Sequence, residues 1–257
     1  MDFGIGTRAA IVTGGTSGIG KACAAALAGH GARVLFVGRD DRRGRDTEAE
    51  LRAAGGEVRF LRADLRNVGA ADQIVRHAEA LYGTVDILVN NAGILHPGNA
   101  VDTSDAAFDE TFAINVGAVF RLSRSVLPLM IAARRGAIVN IASEWGVNAE
   151  SGYVAYCASK GAVVQMTRAM ALDHAAQNIR INSISPGEVH TEMVDAMLRD
   201  MGQTPDQLAS GIPLRRLARP EEIANCVLFL ASDLASYVTG SNLGADGGTA
   251  ITGGAYP

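Results

Sequence analysis

Short runs of aliphatic and β-branched residues alternate with longer alanine-rich stretches along most of the chain. The first run, residues 9–13 (AAIVT), carries no charge. That pattern predicts a strand buried on both faces, as in a parallel sheet covered by helices. Further strands are predicted at 34–37, 58–61, 86–89, 137–141, 180–184 and 242–244. Helices are predicted between them at 21–30, 41–54, 68–82, 104–133 and 153–176, with a last one at 220–232 that opens on Pro220. Gly31, Gly55 and Gly83 follow three of these helices and act as stop signals. Pro128 is the expected break in the long 104–133 helix. Residues 186–219 read as a looser stretch, with a substrate-loop region at about 187–219. Alternating strand and helix without a change of composition predicts one α/β domain over residues 1–257. Its core would be a doubly wound, seven-stranded parallel sheet flanked by helices. A division into two small domains near Ala133 has no linker to support it.

Composition removes several classes of function. Hydrophobic residues make up 48% of the chain and charged residues 19%, a globular balance. The net charge of -4 offers no basic stripe, so no nucleic-acid partner is expected. Cys23, Cys157 and Cys226 are odd in number and far apart. They exclude a disulfide scaffold and a paired-cysteine metal site, and they fit a reducing compartment, so a cytoplasmic protein is expected. Cys157 reads as a small buried helix residue, and His30, His77 and His174 are too scattered to mark a metal site. The apolar stretch 22–38 is interrupted by Gly29, His30, Gly31 and Arg33, and Met1 to Arg8 has no leader pattern. No membrane partner is expected from either.

A glycine-rich loop joins the first strand to the first helix: Thr13-Gly14-Gly15-Thr16-Ser17-Gly18-Ile19-Gly20. Unpaired N–H groups at a helix start attract a pyrophosphate, and glycines let the backbone approach it. The spacing is GxxxGxG and its place after a first strand points to a Rossmann-like dinucleotide site. The second strand ends in Gly38-Arg39-Asp40. An acidic residue there would take the ribose hydroxyl of NAD, whereas an arginine accommodates the 2′-phosphate of NADP. Arg39 favours NADP(H) over NAD(H); Asp40 keeps NAD open.

Tyr156 and Lys160 lie four residues apart at the start of a helix, on one face. An ammonium beside a phenol favours the phenolate, which makes the tyrosine a proton carrier. Ser143 ends the preceding strand, at the sheet edge where such folds bind ligands. Together these motifs resemble the short-chain dehydrogenases/reductases, in their single-domain branch, over nearly the whole chain. The loop is similar to that family's TGxxxGxG, and Asn90-Asn91-Ala92-Gly93 to its NNAG after the fourth strand. Ser143 stands thirteen residues before Tyr156, Lys160 completes YxxxK, and Pro186, Gly187, Val189 and Thr191 resemble PGxVxT.

The resemblance implies roles. Tyr156 would exchange the proton with the substrate oxygen. Lys160 would hold the nicotinamide ribose and lower the tyrosine pKa. Ser143 would orient the carbonyl or alcohol, and Asn115 would support a water chain to Lys160. The cofactor would meet Gly14, Ser17, Gly18, Ile19, Gly20, Arg39, Asp64, Leu65, Asn91, Ala92, Gly93, Tyr156, Lys160, Pro186, Gly187, Val189 and Thr191. Asp64 would face the adenine, or simply cap a strand end; Asn91 would touch cofactor or stabilise the sheet. A homotetramer is implied, built on the long apolar helices that begin at 104 and 153, with residues 244–257 at another interface.

Glu144, Trp145, His96 and Glu188 fall where a substrate pocket would form, and acids there would suit a polyol, sugar or diol. Met193, Met197 and Met201 recur every four residues and mark one apolar helix face, either a lid over the substrate or core. The expected function is hydride transfer between nicotinamide and a secondary alcohol or ketone. A 3-oxoacyl-thioester reductase is the alternative in the same fold, with Arg134-Arg135 or Arg215-Arg216 as a basic patch for a carrier partner. A non-catalytic dinucleotide sensor is the alternative outside the enzymes.

Overall fold

A computed structural model describes residues 3–252. Residues 253–257, the end of the closing segment expected at an interface, lie outside the described residues. In chain order the elements are β1 (Ala9–Thr13), α1 (Gly18–Gly29), β2 (Arg33–Gly38), α2 (Asp41–Ala53), β3 (Val58–Arg62), α3 (Ala70–Tyr82) and β4 (Ile87–Asn90). Then come α4 (Asp105–Phe112), α5 (Val119–Ala133), β5 (Gly136–Ile141), α6 (Val154–His174) and β6 (Ile179–Pro186). Finally α7 (Glu192–Met201), α8 (Pro205–Ser210), α9 (Pro220–Ala231) and β7 (Asn242–Ala245) close the chain.

All seven strands pair in parallel, in the order β3-β2-β1-β4-β5-β6-β7. This is the Rossmann-like, doubly wound sheet expected. β1, β4 and β5 are buried at every position because helices cover both faces. Val12, Val34 and Phe36 pack against α1 and α9 on one face. Ile11, Leu35 and Leu88 pack against α3, α5 and α6 on the other.

The long helix departs from expectation. It is interrupted by a π-helical turn, Ala113–Ala118, while Pro128 sits inside α5. Pro128 is exposed, and the helix continues through it. The run Asp105–Ala133 is also the stretch with the length and mean hydropathy, 1.4, of a membrane span, more so than residues 22–38. Here its Val119, Leu122, Val126, Leu127 and Met130 are buried, and Leu122, Val126 and Met130 pack on the sheet face.

The looser stretch holds two short helices. Thr191 caps α7, accepting from the Val194 N–H, and Thr204 caps α8 in a reciprocal pair with Gln207. Of the methionine stripe, Met197 is buried while Met193 and Met201 are partly exposed.

Candidate active site

Strand order reverses between β1 and β4, and the cleft at their carboxyl ends is where such sheets take ligands. The cavity there measures about 360 Å³, inside the roughly 300–1,000 Å³ of small-molecule sites. Its walls include Arg39 and Asp64, then Gly14 and Gly18, then Tyr156, Glu144 and Met197.

The glycine loop is shaped for an anion. Gly14 and Gly18 have φ of +63° and +50°, and a Cβ on Gly14 would meet Asn91 Nδ2 at 2.9 Å. Ser17 does not cap α1 with its side chain, and the first turn holds no acid, unlike those of α2, α4, α7 and α9. The free N–H groups of α1 are thus left for a phosphate. Asn91 Nδ2 donates to the carbonyls of Thr13 (2.9 Å) and Gly14 (3.2 Å). Thr13 Oγ1 in turn accepts from the N–H groups of Asn91 (2.9 Å) and Ala92 (3.0 Å). Gly14, Ser17, Gly18 and Ile19 therefore form a fixed cradle that fits a dinucleotide pyrophosphate.

Arginines crowd the end of the cleft beside β2. Arg39, Arg43, Arg62 and Arg66 surround a shallow annex with Asp40 and Asp64. Arg66 grips Asp64 (Nη2–Oδ2 2.5 Å), and that hydrogen bond holds the Asp64 carboxyl below the usual range. Asp64 also accepts from the Arg66 N–H at 3.0 Å, so it caps the strand end while lining the cavity. The Arg39 guanidinium lines the cavity and forms no ion pair among the described residues.

Ser143 follows β5 and caps a tight turn, Glu144–Gly146. Gly146 lets that turn press on α6, because a Cβ there would meet the Lys160 carbonyl carbon at 2.6 Å. Tyr156 and Lys160 stand one turn apart on α6, at 8% and 4% exposure. The Ser143 hydroxyl hydrogen-bonds the Tyr156 phenol. Lys160 Nζ donates to the Ile141 carbonyl at 2.8 Å and stands 5.6 Å from the Tyr156 ring centre. Burial pushes Tyr156 up to about 12, against the Ser143 hydrogen bond. Burial also pushes Lys160 down to about 8, which weakens the ammonium meant to assist the phenolate.

Asn115 lies in the π-helical turn and is buried. Its Nδ2 donates to the Ile94 carbonyl (2.9 Å) and to Ser159 Oγ (3.0 Å), and its Oδ1 accepts from the Ile94 N–H (2.9 Å). It pins the loop after β4 and stands behind Gly93, whose other neighbour is Lys160 Nζ.

Beyond Tyr156 the cavity becomes aromatic and acidic. Trp145 contacts the rings of Tyr153 (4.8 Å) and Tyr156 (5.8 Å), and Leu95, Met193, Val194 and Met197 complete an apolar wall. Glu144 and Glu188 line the same space. Burial, then Glu188, Asp246 and Glu150, push Glu144 up to about 8. Burial, then Glu150, push Glu188 up to about 7. His96 does not join them. Its Nε2 turns to Glu110 Oε2 on α4 at 3.1 Å, because that carboxylate is in reach and Leu95 takes the cavity side.

A family model described as enoyl-(acyl carrier protein) reductase matches residues 14–250. The chain belongs to the short-chain dehydrogenase/reductase family. It is 41% identical over 248 residues to cyclopentanol dehydrogenase of Comamonas sp., covering 95% of this chain and 97% of that one. It is 36% identical over 255 residues to 2,3-dihydro-2,3-dihydroxybenzoate dehydrogenase of Bacillus subtilis, covering 96% and 98%. A solved structure from Beutenbergia cavernae, provisionally named an NAD(P)-dependent gluconate 5-dehydrogenase and holding NADP at low occupancy, superposes with a TM-score of 0.92. It is 37% identical, over 98% of this chain and 100% of that one. This short-chain dehydrogenase is thus an NAD(P)-dependent oxidoreductase that acts on secondary alcohols.

The fold brings most of the predicted positions to the dehydrogenase's cleft. Ser17, Ile19, Leu65, Ala92, Gly93, Pro186, Gly187, Val189 and Thr191 line it with the residues already named. Gly20 does not. A Cβ there would strike the Gly14 carbonyl at 2.1 Å and Asn91 Nδ2 at 2.4 Å, so Gly20 packs helix against loop. Sequence reading missed Thr13, which anchors the β4 loop, Arg43, which joins Arg39 at the annex, and Glu192, which lines the cavity. Thr13 was visible as a hydroxyl ending an apolar strand. Arg43 was visible four residues after Arg39.

Proposed function

We propose that this dehydrogenase acts on a polar diol or polyol, prefers NADP(H), and works through Tyr156, Ser143, Lys160 and Asn115. The observation that carries the reading is the shared wall: Ser143, Tyr156 and Lys160 line one cavity whose far end holds Glu144 and Glu188. When bound, the nicotinamide supplies the hydride acceptor or donor. Ser143 and Tyr156 both offer hydroxyls to one substrate oxygen, which orients the carbinol carbon. In oxidation Tyr156, as phenolate, takes the alcohol proton; in reduction it returns it. Lys160, on turning from the Ile141 carbonyl, would hold a ribose hydroxyl and stabilise the phenolate. Asn115 keeps the Ile94 backbone and Ser159 in place beside it.

Arg39 and Arg43 support NADP, since the uncommitted Arg39 guanidinium offers a fork for a 2′-phosphate. The carrier-protein alternative loses support. Arg134 and Arg135 precede β5, at the sheet edge opposite the cleft, and Arg216 is paired to Glu222 at 2.7 Å. Phe108, Phe120, Val154 and Leu172 are exposed on α4, α5 and α6, which supports a homotetramer built on those helices. Three free cysteines support a cytoplasmic setting.

The test is turnover of NADP and NAD with diols, polyols, simple secondary alcohols and hydroxyacyl thioesters, with Tyr156→Phe as control. Diol turnover lost in the variant supports the reading. Preference for thioesters would overturn it, and tight cofactor binding without turnover of any alcohol would favour the sensor.

A further inference from the structure

Glu144 is a costly residue to keep where it stands. It is 4% exposed, and its Oε2 has no hydrogen-bond partner. A buried, unpaired carboxylate oxygen is unfavourable unless something arrives to satisfy it. The main chain holds it firmly: the Glu144 carbonyl accepts from the N–H groups of Val147 (2.9 Å) and Asn148 (2.8 Å). Gly146 locks the same turn onto α6. The carboxylate follows Ser143 directly and lines the cavity that Tyr156 lines.

The charges around it share one sign. Glu188, Asp246 and Glu150 are the groups that act on Glu144, and each of them is an acid. The cations among the cavity's walls are Arg39, at the annex, and Lys160, bonded to the Ile141 carbonyl. Asp246 is itself occupied, accepting from the N–H groups of Gly248 and Ala250 at 2.9 Å. No basic side chain is placed to pair with Glu144 among the described residues.

Resting on the diol reading above, we propose that Glu144 is a specificity-determining residue: its carboxyl group, at the cavity wall, accepts a hydrogen bond from a second hydroxyl next to the reacting carbinol, and the acidic pocket turns away substrates that carry a carboxylate. The raised proton affinity of Glu144 and Glu188 follows from that same burial and those same acids. A site that already resists ionising its own carboxyls imposes the same penalty on an incoming one. The proposal therefore separates this dehydrogenase from enzymes of the same fold whose substrates are acids, by charge and not by shape.

The experiment compares kcat/KM at about pH 9, above the range in which Glu144 and Glu188 take up their protons, for three ring alcohols that differ in one neighbouring group: cyclohexanol, cis-1,2-cyclohexanediol and 2-hydroxycyclohexanecarboxylate. Wild-type protein is expected to favour the diol over cyclohexanol by about tenfold, the scale of one hydrogen bond to a charged group, and to use the carboxylate worst. Glu144→Gln should raise relative use of the carboxylate by about tenfold, and Glu144→Leu should collapse the diol preference. Glu188→Gln, a half-buried position that leaves the turn intact, should shift relative carboxylate use in the same direction by less. Turnover of all three alcohols at ratios that no variant changes would overturn this inference alone. A wild-type enzyme that prefers the carboxylate would also overturn it. No turnover of any ring alcohol would remove the diol reading, and this inference with it.

Discussion

Arg43 Nη1 meets Glu192 Oε2 at 2.6 Å, and so ties α2 to α7 across the mouth of the cofactor cleft. Both side chains are about half exposed or more, so solvent screens the pair and leaves it weak. A 2′-phosphate arriving at the annex would compete with Glu192 for the same guanidinium. Glu192→Gln is therefore expected to lower the Kd for NADP by up to about fivefold and leave that for NAD unchanged. Arg39→Ala should raise the NADP Kd by about tenfold or more, again sparing NAD. Calorimetric titration of both cofactors checks each value, and equal effects on NAD and NADP would remove the annex from cofactor choice.

The Tyr156 phenol is raised by burial, with Glu188 and Glu144 adding to the effect. Removing one of those negative charges lowers the phenol's pKa. Glu188→Gln should thus move the alkaline rise of alcohol oxidation to lower pH. Tyr156→Phe should lose about a hundredfold or more in kcat at every pH. A pH profile of kcat for both variants is the measurement. An unmoved profile in Glu188→Gln would mean that the acid does not act on the phenol.

Glu144 also sets a pH window for stability. Its carboxyl titrates at about 8 in the folded protein, against about 4.3 when unfolded. Between those values the native state binds the extra proton, so stability is fullest below the window and falls as pH rises through it. Glu144→Gln cannot ionise. Its Tm should lie nearest wild type at about pH 4, below the window, and exceed it by several degrees at about pH 9. Thermal melts at both pH values decide it, and parallel curves would sink the expectation.

Gly20→Ala tests the junction of α1 with the phosphate loop. The new methyl would sit 2.1 Å from the Gly14 carbonyl and 2.4 Å from Asn91 Nδ2. Relief requires moving the loop, at a cost of about 1–3 kcal/mol. Urea unfolding should show that loss, and cofactor affinity should fall with it. A variant as stable as wild type would show that the loop yields freely.

Much of this was legible in the chain itself. β1, β4 and β5 announce a parallel sheet because covering both faces leaves no polar side to the strand. The glycine loop is equally plain, since few residues tolerate positive φ at Gly14 and Gly18. Other features are three-dimensional. The sequence places His96 beside the site, but only the fold puts Glu110 within its reach. The spacing of Tyr156 and Lys160 shows that they share a face, and not how deeply both are buried, which raises the phenol's pKa and lowers the ammonium's. The π-helical turn has the composition of an ordinary helix, so the sequence marks the break at Pro128 and not at Ala113–Ala118. Thr191 and the Thr204–Gln207 pair are readable caps that polar surroundings disguised.

The interruption at Ala113–Ala118 has a consequence for how this enzyme changes by mutation. A π-helical turn closes its hydrogen bonds one residue later than an α-helical one, and so holds a surplus residue. Deleting a single codon within it would leave one regular helix, still apolar enough to fold. Because the turn had absorbed that residue, the helix on either side would keep its faces, and only the side chains within the turn would rotate, by up to about 100°, the angular step of one helical residue. Asn115 would leave Ile94 and Ser159, although no functional residue had been replaced. Here the surplus residue is itself what aims Asn115, so its loss would spare the helix and disarm the site.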